Sequence, residues 1–165
     1  MRRIDAAVCR AADGALAITY VLEGDLDRIR VPLPGESHMA DRLWQHTCCE
    51  AFIRRAGSPA YHEFNFAPSG EWAAYAFERY RERAPRLLDD ALHPQLTVRA
   101  TPRKLELDAV IRLPRLSPAH ASAKLALALS AVVEELDGRL SYWALWHPAG
   151  KPDFHHPDAF ALELG

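Results

Sequence analysis

Hydrophobic and polar residues alternate with a period of two along most of this chain. In a β-strand adjacent residues point to opposite faces of the sheet, so this alternation predicts strands with one face in a core. The clearest segment, 15–22, reads Ala-Leu-Ala-Ile-Thr-Tyr-Val-Leu and ends at Glu23-Gly24-Asp25, a composition typical of turns. About nine or ten strands are predicted in this way, at 15–22, 28–33, 46–54, 60–66, 71–80, 95–100, 104–113, 124–135, 139–146 and 159–164.

The segment 124–135 is ambiguous because it is rich in alanine and leucine, which favour a helix by propensity. Its large hydrophobic residues nevertheless stand on strictly alternate positions, at Leu125, Leu127 and Leu129. Because periodicity is a stronger signal than the propensity of single residues, we predict a strand here. A single helical turn is expected in the loop 114–120.

The connections between several strands are too short for a crossover. Gly57-Ser58-Pro59 and Pro68-Ser69-Gly70 join three successive strands, which we therefore predict to form a meander, and Asp137-Gly138 is a hairpin signal. Many short strands separated by turn signals indicate an all-β fold. The prediction is a two-sheet antiparallel β-sandwich, jelly-roll-like, that forms a single domain over residues 1–165.

Composition and charge limit the classes of partner that this protein is expected to bind. The 165 residues are 49% hydrophobic and 25% charged, as in globular proteins, and the formal net charge is −2. Since proteins that bind nucleic acid need a surplus of basic residues, nucleic acid is not expected as a partner. No apolar run has the length of a membrane span, so no membrane association and a cytoplasmic location are expected, while the oligomeric state stays open.

The three cysteines, Cys9, Cys48 and Cys49, are odd in number, and two of them are adjacent. Neighbouring residues in a strand face opposite ways, so Cys48 and Cys49 make a poor disulfide or metal pair. We expect reduced thiols, with one of them in the core.

The strand predicted at 60–66 has one face with two phenylalanines and an opposite face with polar side chains. Its phenylalanines must face the core, which turns a phenol, a carboxylate and an amide to the opposite face. The two faces carry His62, Phe64 and Phe66 on one side, and Tyr61, Glu63 and Asn65 on the other.

The indoles of Trp44 and Trp72 come close to this polar face if the neighbouring hairpins pair as predicted, and Glu50 lies on the preceding strand. Aromatic rings beside a few polar groups suit a sugar, because rings stack on its C–H faces while carboxylates and amides bind its hydroxyls. The alternative is that the polar face meets water and the tryptophans pack in the core.

A second polar cluster lies near the C-terminus, between Trp143 and Asp158. It contains three histidines and two aspartates, which are possible ligands of a divalent metal. His155 and His156 are adjacent and precede a proline, so both rings cannot easily face one ion, and no metal site is predicted. His155 is expected either to pin the loop together with Asp153 or to contact a ligand at the rim of the cleft.

Catalysis is not predicted. Glu50, Glu63 and Glu71 could supply an acid–base pair of the glycosidase kind, but no catalytic motif accompanies them. The basic run from Arg79 to Arg83, with Arg86 beyond it, is interpreted as a solvated strand end and loop. The alternative is that this run attracts an anionic ligand or partner.

Several of these segments together resemble the superfamily of DOMON-like domains and family 9 carbohydrate-binding modules. The resemblance runs from Leu43 to Phe160 and implies a jelly-roll-like sandwich that binds a sugar or a haem in a cleft on one sheet, without catalysis. It rests on Trp44 with Glu50-Ala51-Phe52, Tyr61-His62-Glu63-Phe64-Asn65, Pro68-Ser69-Gly70 with Trp72, and the closing Phe154-His155-His156-Pro157-Asp158-Ala159-Phe160.

The leading hypothesis is a non-catalytic module that binds a small molecule, most simply a carbohydrate, without a cofactor. Trp44, Tyr61 and Trp72 would stack on the ligand, Glu50, Glu63 and Asn65 would bind its hydroxyls, and His155 would lie at the rim. The first alternative is a haem held by Met39 and by His46, His147 or His155. The second is a protein-interaction module whose cleft is vestigial.

Overall fold

The alternating segments form antiparallel strands in the computed structural model, which describes residues 1–85 and 92–165. Within these residues, eleven strands build two sheets. The smaller sheet contains, in spatial order, β1 (Arg3–Arg10), β2 (Ala15–Glu23), β8 (Lys104–Arg112) and β7 (Gln95–Thr101). The larger sheet contains, in spatial order, β10 (Leu140–Ala144), β9 (Leu125–Glu134), β3 (Cys48–Arg55), β4 (Tyr61–Phe66), β5 (Trp72–Arg79) and β6 (Glu82–Arg83), with β11 (Leu162–Leu164) paired to β9.

The helices are short and lie in connections. In the described part of the chain the α-helices are α1 (Leu113–Leu116) and α2 (Pro118–Ser122), and 3₁₀ turns occupy Leu26–Arg28, Leu43–Gln45 and Pro157–Ala159. Of the helices in the described residues, none has the length and apolar character needed to span a bilayer.

The main hydrophobic core lies between the two sheets. Alternate residues of β2 and β8, such as Leu16 and Leu107, meet the inward side chains of β3, β4 and β9, among them Phe64 and Leu127. The expected alternation is clearest in β8, where every second residue is buried. This burial holds the two layers of the sandwich together.

A second hydrophobic cluster lies on the outer face of the larger sheet. Phe52, Tyr61 and Phe77 project from this face and are covered by Phe154 and Phe160 of the C-terminal segment. As a result β9 is buried along its whole length rather than on alternate positions. The covering segment gives the larger sheet two interior faces, and the candidate site lies on the outer one.

Several predictions from the sequence are confirmed. The chain is an all-β sandwich of two antiparallel sheets, and the ambiguous segment at 124–135 forms strand β9. Strands β3, β4 and β5 are consecutive neighbours, as the short turns required. The turn glycines Gly70 and Gly138 have φ of 96° and 84°, a region that residues with a Cβ rarely adopt.

Other predictions were wrong. The strand expected at 28–33 does not form, because a 3₁₀ turn occupies Leu26–Arg28 and only Ile29 makes an isolated bridge. Strand β1 was missed, since Arg3, Asp5 and Arg10 mask the alternation of an edge strand. The loop expected to hold one helical turn holds two short helices, α1 and α2. The segment with Asp89 and Asp90, and also Arg86, lies outside the described residues.

The cysteines differ from expectation in one respect. All three are free thiols, but both Cys48 and Cys49 are buried, whereas one core cysteine was predicted. Cys49 faces the core between the sheets and Cys48 faces the outer cluster. Both are buried because the larger sheet is covered on both faces, which the sequence pattern of β3 did not indicate.

Candidate functional site

A cavity of about 360 Å³ opens on the outer face of the larger sheet. Its size is at the lower end of the range for small-molecule sites, roughly 300–1,000 Å³. Strands β3, β4, β5 and β9 form its floor, and the C-terminal segment and the β5–β6 turn form its walls. The lining residues are Trp44, Glu50, Glu63, Phe77, Arg81, Arg83, Val132, Tyr142, Pro152, Phe154 and His155.

Two carboxylic acids lie at the floor of this cavity. Glu50 is in β3 opposite Asn65, and Glu63 is in β4 opposite Phe52, so the two acids stand on adjacent strands and on the same face. Glu50 is 3% exposed and Glu63 is 5% exposed. A pair of buried acids in a cavity is costly to maintain without partners, which marks this floor as a candidate for ligand contacts.

Glu63 has polar neighbours on two sides. Its Oε1 accepts a hydrogen bond of 2.9 Å from Nδ2 of Asn65, and its Oε2 lies 3.7 Å from Nε2 of His155. Asn65 is fully buried behind Glu63, and its Oδ1 has no hydrogen-bond partner among the described residues. Asn65 therefore holds the carboxylate of Glu63 in place from beneath the cavity.

His155 is fixed by Tyr61. The Tyr61 hydroxyl accepts a hydrogen bond of 3.1 Å from the backbone N–H of Arg81 and lies 2.8 Å from Nδ1 of His155. The hydroxyl can donate its own proton to Nδ1, and the proton of the neutral imidazole then lies on Nε2. In this arrangement His155 presents an N–H donor to the side of the cavity where Glu63 lies.

Aromatic rings hold His155 in this orientation. Its imidazole meets the rings of Phe52 and Phe77 edge-on, each at a centroid distance of 5.0 Å. The Asp153 carboxylate also accepts a hydrogen bond of 3.1 Å from the backbone N–H of His155. This bond agrees with the alternative in which Asp153 pins the loop, while His155 itself also reaches the cavity.

The wall at the β5–β6 turn carries two arginines. Arg81 has φ of 56° in the turn, and its Nη2 lies 2.7 Å from Oδ1 of Asp153. The guanidinium of Arg83 lies 4.0 Å from the centre of the Tyr75 ring. The cavity thus has an acidic floor and a cationic wall.

Aromatic side chains border the cavity mouth. Trp44 lies within the 3₁₀ turn Leu43–Gln45 ahead of β3 and is 44% exposed. Tyr142 projects from β10 and lies 6.1 Å from Phe154, ring centre to ring centre. Exposed rings at the mouth of a polar cavity offer flat apolar surfaces to a ligand.

Burial changes the acidity of the floor. It raises the pKa of Glu63 to about 7, although Asn65, Arg83 and Arg81 act in the opposite direction. The pKa of Glu50 is also well above its ordinary value, because of burial and then the charge of Glu63. Burial and the charge of Arg81 lower the pKa of His155 to about 4. Near pH 7 the floor therefore carries less negative charge than two free carboxylates would.

The structure brings together only some of the residues predicted for the site. Trp44, Glu50, Glu63 and His155 line the cavity. Asn65 and Tyr61 do not line it, but they support Glu63 and His155 from behind.

Trp72 does not belong to this site, contrary to prediction. It is 0% exposed and packs in the core between the sheets, on the same side as its cross-strand partner Phe66. The prediction failed because the register of β5 on β4 sets the face of Trp72. Once Phe66 is assigned to the core, Trp72 must follow it.

Sequence reasoning missed the walls of the cavity. Arg81 and Arg83 were interpreted as a solvated strand end, and Phe77, Tyr142 and Phe154 were not assigned to the site. For Phe77 a signal existed, since it follows Ala73 and Tyr75 on the same face of β5. For Tyr142 and Phe154 no local signal existed, because their position depends on how the C-terminal segment folds back.

The placement of Met39 does not favour the haem alternative. Met39 bridges to Trp72 and packs against the core between the sheets. It is not among the lining residues of the cavity, which include only His155 of the three histidines considered. The methionine and that histidine therefore lie on different faces of the larger sheet.

Comparisons with known proteins identify a solved structure of similar fold. No protein-family model matches the chain, and no curated protein sequence matches it. A solved structure from Bacteroides uniformis, a protein whose carbohydrate binding is provisionally assigned, is similar in fold, with a TM-score of 0.65 and 16% sequence identity. The match covers 93% of this chain and 74% of the other. At this identity the likeness establishes the β-sandwich fold alone.

Proposed function

We propose that this protein is a non-catalytic module that binds a carbohydrate or sugar-like metabolite in the cavity on the outer face of its larger sheet. The observation that carries the proposal is the pair of buried acids, Glu50 and Glu63, at the floor of a cavity bordered by aromatic rings. The similarity in fold to a protein with provisionally assigned carbohydrate binding supports it. The resemblance to DOMON-like and family 9 carbohydrate-binding modules agrees with it as an expectation.

The chemistry of the lining fits hydroxyl groups. A sugar hydroxyl both donates and accepts hydrogen bonds, so it can donate to the Glu63 carboxylate and accept from Nε2 of His155. Oε2 of Glu63 and Nε2 of His155 are 3.7 Å apart, too far for a direct hydrogen bond, so a hydroxyl oxygen lying beside both atoms can bond to each. Trp44 and Tyr142 supply aromatic surface for the apolar face of a sugar ring.

A thermal-shift screen tests the proposal. The purified protein is heated with monosaccharides, disaccharides, amino sugars and nucleotide sugars. A ligand at about a hundred times its dissociation constant stabilises the folded state by about 2.7 kcal/mol, a readily visible shift. The hit is then recovered from the mixture and examined by NMR, where we expect the unaltered sugar.

Two variants locate the site. Glu63→Gln removes the charge at the floor and is expected to abolish the shift, whereas Glu78→Gln, at an exposed position of β5, is the matched control and should retain it. A panel in which no sugar shifts the melting temperature would contradict the proposed function. A chemically altered product would contradict its non-catalytic part.

A further inference from the structure

The cavity is chemically two-ended, and its two ends come from different parts of the chain. The acids at the floor stand in the middle of β3 and β4, whereas Arg81 and Arg83 flank the cavity from the turn and short strand that follow β5. A neutral sugar needs only the first of these ends. A neutral ligand therefore does not account for the two arginines in the wall.

Arg81 is already engaged within the protein. Its guanidinium forms an ion pair with Asp153, and its backbone N–H donates to the Tyr61 hydroxyl. The charge of Arg81 is thus offset next to the cavity, and its main contribution is to hold the turn against β4 and the C-terminal segment.

Arg83 has no such partner among the described residues. Its guanidinium lies over the Tyr75 ring, whose hydroxyl donates to Asp41. No carboxylate of the described part of the chain forms an ion pair with Arg83. Its charge still acts on the cavity, since it contributes to lowering the pKa of both Glu63 and His155.

Neutralising an ionised Glu63 is not a sufficient role for the positive charge of Arg83. A carboxylate that is neutralised by a neighbouring arginine has a pKa below its ordinary value. Burial instead raises the pKa of Glu63 to about 7. Near neutral pH the acids of the floor are partly protonated and balance the positive charge of Arg83 only in part. This charge also helps to lower the pKa of Asp41, but that carboxylate accepts from the Tyr75 hydroxyl and does not line the cavity.

The position of Arg83 over this ring suits the capture of an anion. A guanidinium that lies over an aromatic ring can keep N–H groups at its edge available, and these match the two oxygens of a carboxylate or phosphate. The ring also limits the rotamers of Arg83, which lowers the entropy lost on binding.

We propose that the ligand of this cavity is an anionic sugar derivative, a sugar acid or sugar phosphate, whose acidic group is bound by Arg83 while its hydroxyls meet Glu50 and Glu63. This inference rests on the proposed function and deepens it by naming the ligand class. Carboxylate and phosphate share the chemistry that Arg83 recognises, and the test separates them.

The test compares matched sugars by isothermal titration calorimetry. The probes are D-glucose, D-glucuronate and D-glucose 6-phosphate, with D-galactose, D-galacturonate and D-galactose 6-phosphate as a second set. The wild-type protein is expected to bind an anionic member of a set at least about tenfold more tightly than the neutral member, and more weakly as salt screens the charge. The tighter of the two acids identifies the anionic group.

Variants then assign the preference to Arg83. Arg83→Gln is expected to weaken anion binding by about tenfold or more while leaving neutral-sugar binding within about twofold, and Arg83→Lys should retain part of the affinity. The matched control is Arg103→Gln, at an exposed position in the turn between β7 and β8. A circular-dichroism melt of each variant verifies that it folds.

The possible failures are distinct. If the neutral and anionic sugars bind equally, or if Arg83→Gln and Arg103→Gln lose the same affinity, the anionic ligand class is wrong and the sugar cavity stands. If no sugar of either kind binds, both the ligand class and the proposed function are wrong.

Discussion

The hydroxyl oxygen of Tyr61 lies 2.8 Å from Nδ1 of His155, although the two residues are 94 positions apart in the chain. The contact joins the centre of the larger sheet to the C-terminal segment that covers it. Because the same hydroxyl accepts the backbone N–H of Arg81, three separate segments meet at this one oxygen. The wall of the cavity therefore depends on a polar group that is itself outside the cavity lining.

Removing that hydroxyl should loosen the wall. Tyr61→Phe leaves the N–H of Arg81 and Nδ1 of His155 without their partner, so the free energy of unfolding should fall by about 1–3 kcal/mol. Urea unfolding followed by fluorescence measures this loss. The control is Tyr80→Phe, which removes an exposed hydroxyl bonded to Asp153 and should cost less than about 0.5 kcal/mol. Equal losses in the two variants would refute the role assigned to Tyr61.

The two tryptophans considered for the site should behave oppositely. Trp72→Ala opens a hole in the core between the sheets and should lower the free energy of unfolding by about 3–5 kcal/mol. Trp44→Ala removes a partly exposed ring and should change stability by less than about 1 kcal/mol while weakening ligand binding. Chemical denaturation and calorimetry with a sugar ligand measure the two effects. A large loss of stability in Trp44→Ala would make this ring structural.

The stability of the protein should depend on the protonation of Glu63. Since the pKa of Glu63 is raised to about 7 in the folded protein, the folded chain retains a proton that the unfolded chain has already released. This contribution is present below the ordinary pKa of the group and is lost as the pH rises through about 7. Relative to Glu63→Gln, the wild type should therefore lose on the order of 2–3 kcal/mol between about pH 5 and about pH 8.

The comparison with Glu63→Gln is needed because other groups titrate nearby. His62 and His155, whose pKa values are lowered to about 4, contribute with the opposite sign, since the unfolded chain binds more protons there. The polar and charged neighbours that face Glu63 are Glu50, Asn65, Arg81, Arg83 and His155. Denaturation at each pH gives the difference curve, with Glu78→Gln as the matched control. A flat difference curve for Glu63→Gln would show that its pKa is not raised.

The thiols should differ in reactivity. Cys9 is exposed, whereas Cys48 and Cys49 are buried and burial raises the pKa of both, so only Cys9 is accessible to a reagent. We expect Ellman's reagent to titrate one thiol rapidly in the folded protein and all three after denaturation. Cys9→Ser should remove the rapid phase. Rapid reaction of a second thiol in the folded state would mean that the outer face of β3 is open.

The strands and the sandwich class could be predicted from the sequence because alternation is a local property. In β8 and β9 hydrophobic residues at every second position were enough to assign a strand, even where alanine and leucine favoured a helix. The polar tips of Glu63 and Asn65 could be assigned to one face of β4 for the same reason. Their burial could not, since a polar strand face usually meets water, and here the C-terminal segment covers it.

The sequence by itself thus determined which residues of one strand share a face, whereas the register of β3 on β4 brings Glu50 and Glu63 together at the floor. Only the tertiary structure decided which face receives a cover, which aromatic rings border the cavity and which arginine of its wall has no ion-pair partner among the described residues. Trp72 illustrates the limit, because its side of the sheet follows from its pairing with Phe66 across the β4–β5 hairpin. Arg83 illustrates it again, because its charge matters only once β6 returns it to the wall of the cavity. The alternation of side chains depends only on neighbouring residues in the chain. The register between strands, and the covering of the outer face by the C-terminal segment, depend on contacts between residues far apart in sequence.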